Sequence, residues 1–218
     1  MEQTQTQTVT EFFKQNKYII VTDALSKDLA SFIYNYFQNK RKVAEHLLKT
    51  DFLSSEDQSW GYWSDPQIPN TYSHYADLAM ETISVRIVPI MKQVTGIDLL
   101  PSYTYARIYK YGDVLRRHKD RPSCEISCTI NLGGDSWPIY LDATGDESKE
   151  GIKVDLTPGD MLVYKGCEVD HWREPFGGYE IGQVFCHYVD SEGPYAKEHH
   201  LDNKPMIGLP AVYRGVKK

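Results

Sequence analysis

The chain has 218 residues, 41% of them hydrophobic, with a formal charge of −6 and a pI near 5.6. That length and apolar content suffice for one domain with a sizeable core, and the acidic balance argues against a bulk nucleic-acid binder, whose affinity rests on neutralising phosphates. No run approaches the roughly eighteen apolar residues of a membrane span, and the polar start lacks the basic and apolar regions of a signal peptide, so a soluble, cytoplasmic protein with no membrane partner is expected.

In chain order, residues 1 to 10 are rich in Gln and Thr with little to bury, which predicts a frayed terminus. Lys17 to Thr22 is a short β-branched run and predicts a strand, after which Ser26 is a good N-cap. Leu29, Phe32, Ile33, Tyr36 and Phe37 follow at helical spacing and predict a stripe packed on a sheet. From Thr50 to about Ser73 the chain is polar, broken by Pro66 and Pro69, and carries Trp60, Tyr62 and Trp63. A long loop of this kind is functional or disordered. Its tryptophans have two readings, a substrate-covering lid or aromatics that pin the loop to the core. Ala76 to about Gln93 predicts a second helix with Leu78, Ala79, Ile83, Ile87 and Met91 on one side, a kink or break at Pro89, and an end at Gly96.

After Pro101 the hydrophobic period becomes two. Tyr103, Tyr105, Arg107 and Tyr109 share one face of a strand, and further strands are predicted at 125–131, 136–141, 152–156, 160–164 and 182–189, separated by Gly, Pro and Asp signals. Pro158-Gly159-Asp160 turns the chain into the strand leading towards His171, and 142–150 is an acidic surface loop. The tail beyond Asp190 reads as irregular, with His199-His200 a solvated pair. Cys124, Cys128, Cys167 and Cys186 follow no disulfide or zinc framework and read as reduced core thiols. The expected architecture is therefore mainly β with N-terminal helices, a single domain whose core is a double-stranded β-helix, or jelly roll. Within it, residues 1–100 form a mostly helical support with a lid loop, 101–190 the jelly-roll core, and 191–218 an irregular tail.

The stretch from Tyr109 to Arg121 carries the chemistry. His118 and Asp120, two apart on an extended chain, face the same side and can reach one metal ion together. A second His from a neighbouring antiparallel strand, His171, completes two imidazoles and one carboxylate with coordination positions left open, a set diagnostic of non-haem Fe(II) oxygenases. Around it crowd Arg107, Lys110, Arg116, Arg117, Lys119 and Arg121, either a solvated face or a site attracting a dianion.

The ordered set Tyr109-x-x-Gly112-x-x-Leu115-x-x-His118-x-Asp120, then Pro158-Gly159-Asp160, His171 and Pro175, resembles the Fe(II)- and 2-oxoglutarate-dependent oxygenases, nearest the prolyl-4-hydroxylase-like branch, over roughly residues 100 to 190. The resemblance implies Fe(II) on His118, Asp120 and His171, with 2-oxoglutarate and O2 as cosubstrates and ascorbate as an accessory reductant. It also implies hydroxylation of an amino-acid side chain, prolyl in a peptide or protein, and a hydroxyl contact from Tyr109 to 2-oxoglutarate. The family's basic anchor for the far carboxylate is missing, since Tyr179-Glu180-Ile181-Gly182-Gln183 stands where it would fall. Strand parity puts Ile181, Gln183, Phe185 and His187 inward, and Arg173 shares a side with His171, so Arg173 is the preferred substitute, followed by Arg107, Arg121 and His187. Trp60, Trp63 and Arg121 are the candidate substrate contacts. Alternatives are the same chemistry on a free amino acid or small metabolite, or a non-catalytic jelly-roll binding protein; the acidic balance disfavours a nucleobase demethylase.

Overall fold

A computed structural model describes residues 8–146 and 148–216. Residues 1–7 of the expected frayed terminus lie outside that range, and its end is ordered. Thr8 opens helix α1 (Val9–Asn16) through a capping box: its hydroxyl accepts from the Glu11 amide at 3.2 Å while the Glu11 carboxylate takes the Thr8 amide at 2.8 Å. Phe13, fully buried, ties this helix to the core. Strand β1 (Tyr18–Val21) follows, then helix α2 (Lys27–Lys49), where the Ser26 hydroxyl accepts from the Leu29 amide as the cap. Ile33 and Phe37 face inward as predicted, but Phe32 is 68% exposed, because the buried stripe is centred on the other two.

Strand β2 (Tyr72–Tyr75) closes the long polar segment, and Asp77 caps helix α3 (Leu78–Thr95). This helix continues through Pro89 rather than breaking there. A mid-helix proline costs about 3 kcal/mol, and burial of Met80, Ile83, Ile87, Met91 and Val94, each worth about 1.5–3 kcal/mol, outweighs it. Gly96 ends the helix at φ 71°, in the left-handed region that glycine tolerates best.

The remaining strands are β3 (Leu99–Lys110), β4 (Leu115–His118), β5 (Ile126–Gly134), β6 (Ile139–Asp142), β7 (Ile152–Val154), β8 (Met161–Tyr164), β9 (Asp170–Arg173) and β10 (Glu180–Asp190). They pair antiparallel into a six-stranded sheet, β1-β8-β5-β10-β3-β2, and a four-stranded sheet, β4-β9-β6-β7. This is the expected jelly roll. Alternation on β10 sorts the two faces: Val184, Cys186 and Tyr188 pack with residues of α1, α2 and α3 in the main core, whereas Phe185 and His187 line a cavity on the opposite face. No helix among the described residues is long and apolar enough to cross a membrane.

The tail is more ordered than its composition suggests. Helix α4 (Ala196–His199) and a 3-10 turn (Ala211–Tyr213) follow β10, and the His199 Nδ1 lies 2.8 Å from the Ser123 hydroxyl, so His199 is engaged with protein rather than simply solvated. Cys124, Cys128 and Cys186 are buried free thiols, whereas Cys167 sits half-buried in the turn after β8.

Candidate metal centre and cosubstrate pocket

Strands β4 and β9 are neighbours at the end of the smaller sheet, and their register makes His118 the direct partner of His171. The ring centroids lie 4.2 Å apart. Asp120 lies two residues past the end of β4 in an irregular segment, with its amide donating to the Gly166 carbonyl at 2.9 Å. Its Oδ1 stands 3.8 Å from Nε2 of His118 and 3.6 Å from Nε2 of His171, and one donor atom from each residue falls within 4.8 Å of the other two. The far nitrogen of each ring is held by backbone: Nδ1 of His118 lies 2.8 Å from the Arg116 carbonyl and Nδ1 of His171 3.1 Å from that of Val169. Because a carbonyl only accepts, the proton sits on Nδ1 and the Nε2 lone pairs are left facing Asp120, the orientation a metal ligand needs. Burial pushes the pKa of His171 down, which keeps its ring neutral. Two imidazoles and a carboxylate suit a divalent first-row metal.

The cavity around these residues measures about 290 Å³. On its β3 wall, Tyr103, Tyr105, Arg107 and Tyr109 share the inward face, as the period of two requires. The candidate anion anchors part company here. Arg107 is buried but saturated: it donates to Ser73 Oγ at 3.0 Å, to Gln67 Oε1 at 3.2 Å, to the Tyr109 hydroxyl at 3.4 Å and to the Asp65 carboxylate. Arg121 donates to both oxygens of Asp202 at 2.8 Å and to Ser123. His187 spends Nδ1 on the Ser127 hydroxyl at 2.9 Å, and burial lowers its pKa to about 4.

Arg173 is different. It is 1% exposed, lies over the Trp137 ring at 4.9 Å, and donates through one nitrogen to the Trp137 carbonyl. Its Nε and Nη2 have no hydrogen-bond partner among the described residues. Burial pulls the guanidinium down to about 10, opposed by the neighbouring hydroxyls of Tyr109 and Tyr164. An unpaired buried cation costs several kcal/mol, so two orphaned donors near Tyr109 and Tyr164 suit a carboxylate, although Arg173 itself lines a second cavity, with Leu115, Arg117 and Trp172, next to the one that holds the three metal donors. The residues present therefore fit both a divalent metal and a dianionic chelator.

Four of the six cations in the basic cluster are paired. Lys110 pairs with Asp113 and Arg117 with Asp142 and Asp170, in addition to the Arg107 and Arg121 pairs above. Arg116 and Lys119 are exposed, and Lys119 lines the cavity, so the cluster is part paired and part open. Asp142, buried at the end of β6, is the exception in the expected acidic surface loop.

Trp60 and Trp63 do not line the cavity. Trp63 packs on Tyr72 at 4.8 Å against the main core, and Trp60, 38% exposed, lies beside α2 with Lys40 at 5.8 Å from its ring. The long segment reaches the site through Asp65 and Gln67 instead. Asp65 accepts from Arg107 and from the Tyr105 hydroxyl, and Gln67 Nε2 stands 3.3 Å from Nε2 of His118. Neither residue belongs to a periodic or recognisable motif, so no local signal marks them.

No family model matches this sequence, and comparison with curated protein sequences finds no match. Solved structures do resemble it. A prolyl-4-hydroxylase from Pseudomonas putida is similar at a TM-score of 0.57 and 16% identity, over 84% of this chain and 97% of that one. The fold is that of the 2-oxoglutarate–Fe(II) oxygenases. SnoN, a non-haem α-ketoglutarate-dependent epimerase from nogalamycin biosynthesis, is similar at a TM-score of 0.63 and 12% identity, over 93% of both chains. A Trichoplax adhaerens prolyl hydroxylase, solved with a hypoxia-inducible-factor peptide fragment, is similar at a TM-score of 0.57 and 12% identity, over 84% of this chain and 88% of that one.

Proposed function

We propose that the chain is an Fe(II)- and 2-oxoglutarate-dependent dioxygenase that hydroxylates an amino-acid side chain, prolyl in a peptide or protein. The observation that carries the reading is the set of three donors oriented for one metal, with the buried, half-partnered Arg173 guanidinium two residues along the same strand from His171. His118, Asp120 and His171 would hold the iron. Arg173, with the Tyr109 hydroxyl close by, would take the far carboxylate of 2-oxoglutarate. With its cosubstrates, the metal supplies the oxidation of an unactivated C–H bond. The protein's share is orientation and exclusion of water: Tyr109, Trp137 and Phe176 form a buried cluster, and Arg173 lies over the Trp137 ring. In so low a dielectric, a charge-assisted pair is stronger than in water.

The prolyl assignment is supported by the resemblance of the motif and by the prolyl hydroxylases among the similar structures. The same chemistry on a free amino acid or small metabolite is favoured by one specific observation, the cavity of about 290 Å³ with Asp65 and Gln67 on its wall, which suits a compact substrate better than an extended chain. Anaerobic titration with Fe(II) and 2-oxoglutarate should develop the metal-to-ligand charge-transfer band of the chelate. Its absence would leave the non-catalytic binding protein as the surviving reading. Conversion of 2-oxoglutarate to succinate, with and without ascorbate, in the presence of proline-rich peptides or free amino acids then separates the two substrate classes.

A further inference from the structure

Asp120 offers its two carboxylate oxygens to different surroundings. Oδ1 faces the imidazoles, at 3.8 and 3.6 Å from their Nε2 atoms. Oδ2 points the other way, to the Ser127 hydroxyl at 2.9 Å, and that hydroxyl lies 2.9 Å from Nδ1 of His187. Ser127 is fully buried on β5 and His187 nearly so on β10, where the two are register partners in adjacent strands. A carboxylate only accepts, so the single hydroxyl proton of Ser127 goes to Asp120, and His187 must donate its Nδ1–H to Ser127. The Cys124 carbonyl, 3.2 Å from the same hydroxyl, is the longer and uncharged competitor. Protein closes in on Oδ2 as well: a Cβ on Gly166 would stand 2.6 Å from Oδ2 and 2.9 Å from Ser127 Oγ, so only glycine leaves room.

We propose that Ser127 and His187 are positioning residues for the metal-binding carboxylate: a relay His187 Nδ1–H to Ser127 Oγ–H to Asp120 Oδ2 locks the rotation of Asp120 and presents Oδ1 alone to the metal. This rests on the metal-ligand reading above and assigns His187 to the metal rather than to the cosubstrate. Such outer hydrogen bonds are worth about ten- to hundredfold in metal affinity, because they fix the ligand before the ion arrives.

The test is a Co(II) titration of the metal-free full chain, with the melting temperature of each metal-free variant recorded beside it. Ser127→Ala should weaken Co(II) binding by about ten- to hundredfold. His187→Phe should weaken it in the wild-type background but have no further effect once Ser127 is Ala, because the relay is then already cut. His187→Asn, whose side-chain amide can stand where Nδ1–H stands, should recover most of the affinity. A purely structural role would lower the melting temperature without this pattern. Unchanged Co(II) affinity in Ser127→Ala overturns the proposal, as does an equal effect of His187→Phe in both backgrounds. So does a second Co(II) with thiolate charge-transfer absorption, since Asp120, Cys124 and His187 would then be ligands themselves. If the wild-type chain binds no Co(II), the functional reading falls as a whole, which distinguishes that failure from failure of the relay alone.

Discussion

His118 and His171 are direct register partners across β4 and β9, and their rings meet at 4.2 Å with Asp120 Oδ1 at 3.8 and 3.6 Å from their Nε2 atoms. Removing the carboxylate deletes a donor and the negative charge these three residues supply. Asp120→Ala should therefore abolish metal binding and turnover while the fold survives, because Asp120 lies outside the strands and the hydrophobic clusters. Circular dichroism should stay native-like as the Co(II) titration goes flat. Retained turnover would remove Asp120 from the ligand set.

Arg173→Met should move stability and cosubstrate binding in opposite directions. The guanidinium is buried with two nitrogens unpaired, so an apolar side chain of similar reach relieves a desolvation cost, and the metal-free protein should melt at the same or a higher temperature. The 2-oxoglutarate dissociation constant should rise about tenfold or more, the loss expected for a charge-assisted hydrogen bond of about 1.5–3 kcal/mol. An unchanged constant would move the anchor to another residue, although Arg107 and Arg121 are already paired with Asp65 and Asp202.

Trp60 and Trp63 should separate under substitution. Trp63 packs with Tyr72 on the main core, so Trp63→Ala should cost about 2 kcal/mol or more in denaturant unfolding, at the lower end for a large aromatic because the ring is only half-buried. Trp60→Ala should change stability by about 1 kcal/mol or less. Neither should alter 2-oxoglutarate affinity, since neither ring lines the cavity.

Acid should destabilise the metal-free protein in two steps. Burial lowers His187 to about 4 from an ordinary 6.5, so between those values the unfolded chain holds a proton that the native state does not. Stability is therefore fully present above about 6.5 and is lost as pH falls towards 4. Asp202 loses its contribution only further down: burial opposes ionisation, but hydrogen bonds from Arg121, Tyr75 and Ser123 hold its carboxyl well below the usual range. Melting temperatures between pH 7 and pH 4.5 should fall less steeply for His187→Gln than for the wild type. Parallel curves would show that His187 does not titrate on unfolding.

What the sequence determined by itself is whatever a short chain segment encodes. Period-two alternation from Tyr103 to Tyr109 places Arg107 and Tyr109 on one inward face, the two-residue step from His118 to Asp120 aims both side chains at one point, and Ser26 and Gly96 mark helix ends through backbone chemistry that needs no neighbours. The tertiary structure decided which of several equivalent cations was left unpaired. Arg107, Arg121 and Arg173 look alike in a string, but Asp65 reaches Arg107 from a long aperiodic segment and Asp202 reaches Arg121 from the tail, leaving only Arg173 of the three with orphaned donors. It also decided that Trp63 packs inward and Phe32 outward, and that Thr8 nucleates a helix whose Phe13 finds a core to fill. Pairing and burial are sums over residues far apart in the chain, and no local pattern carries them.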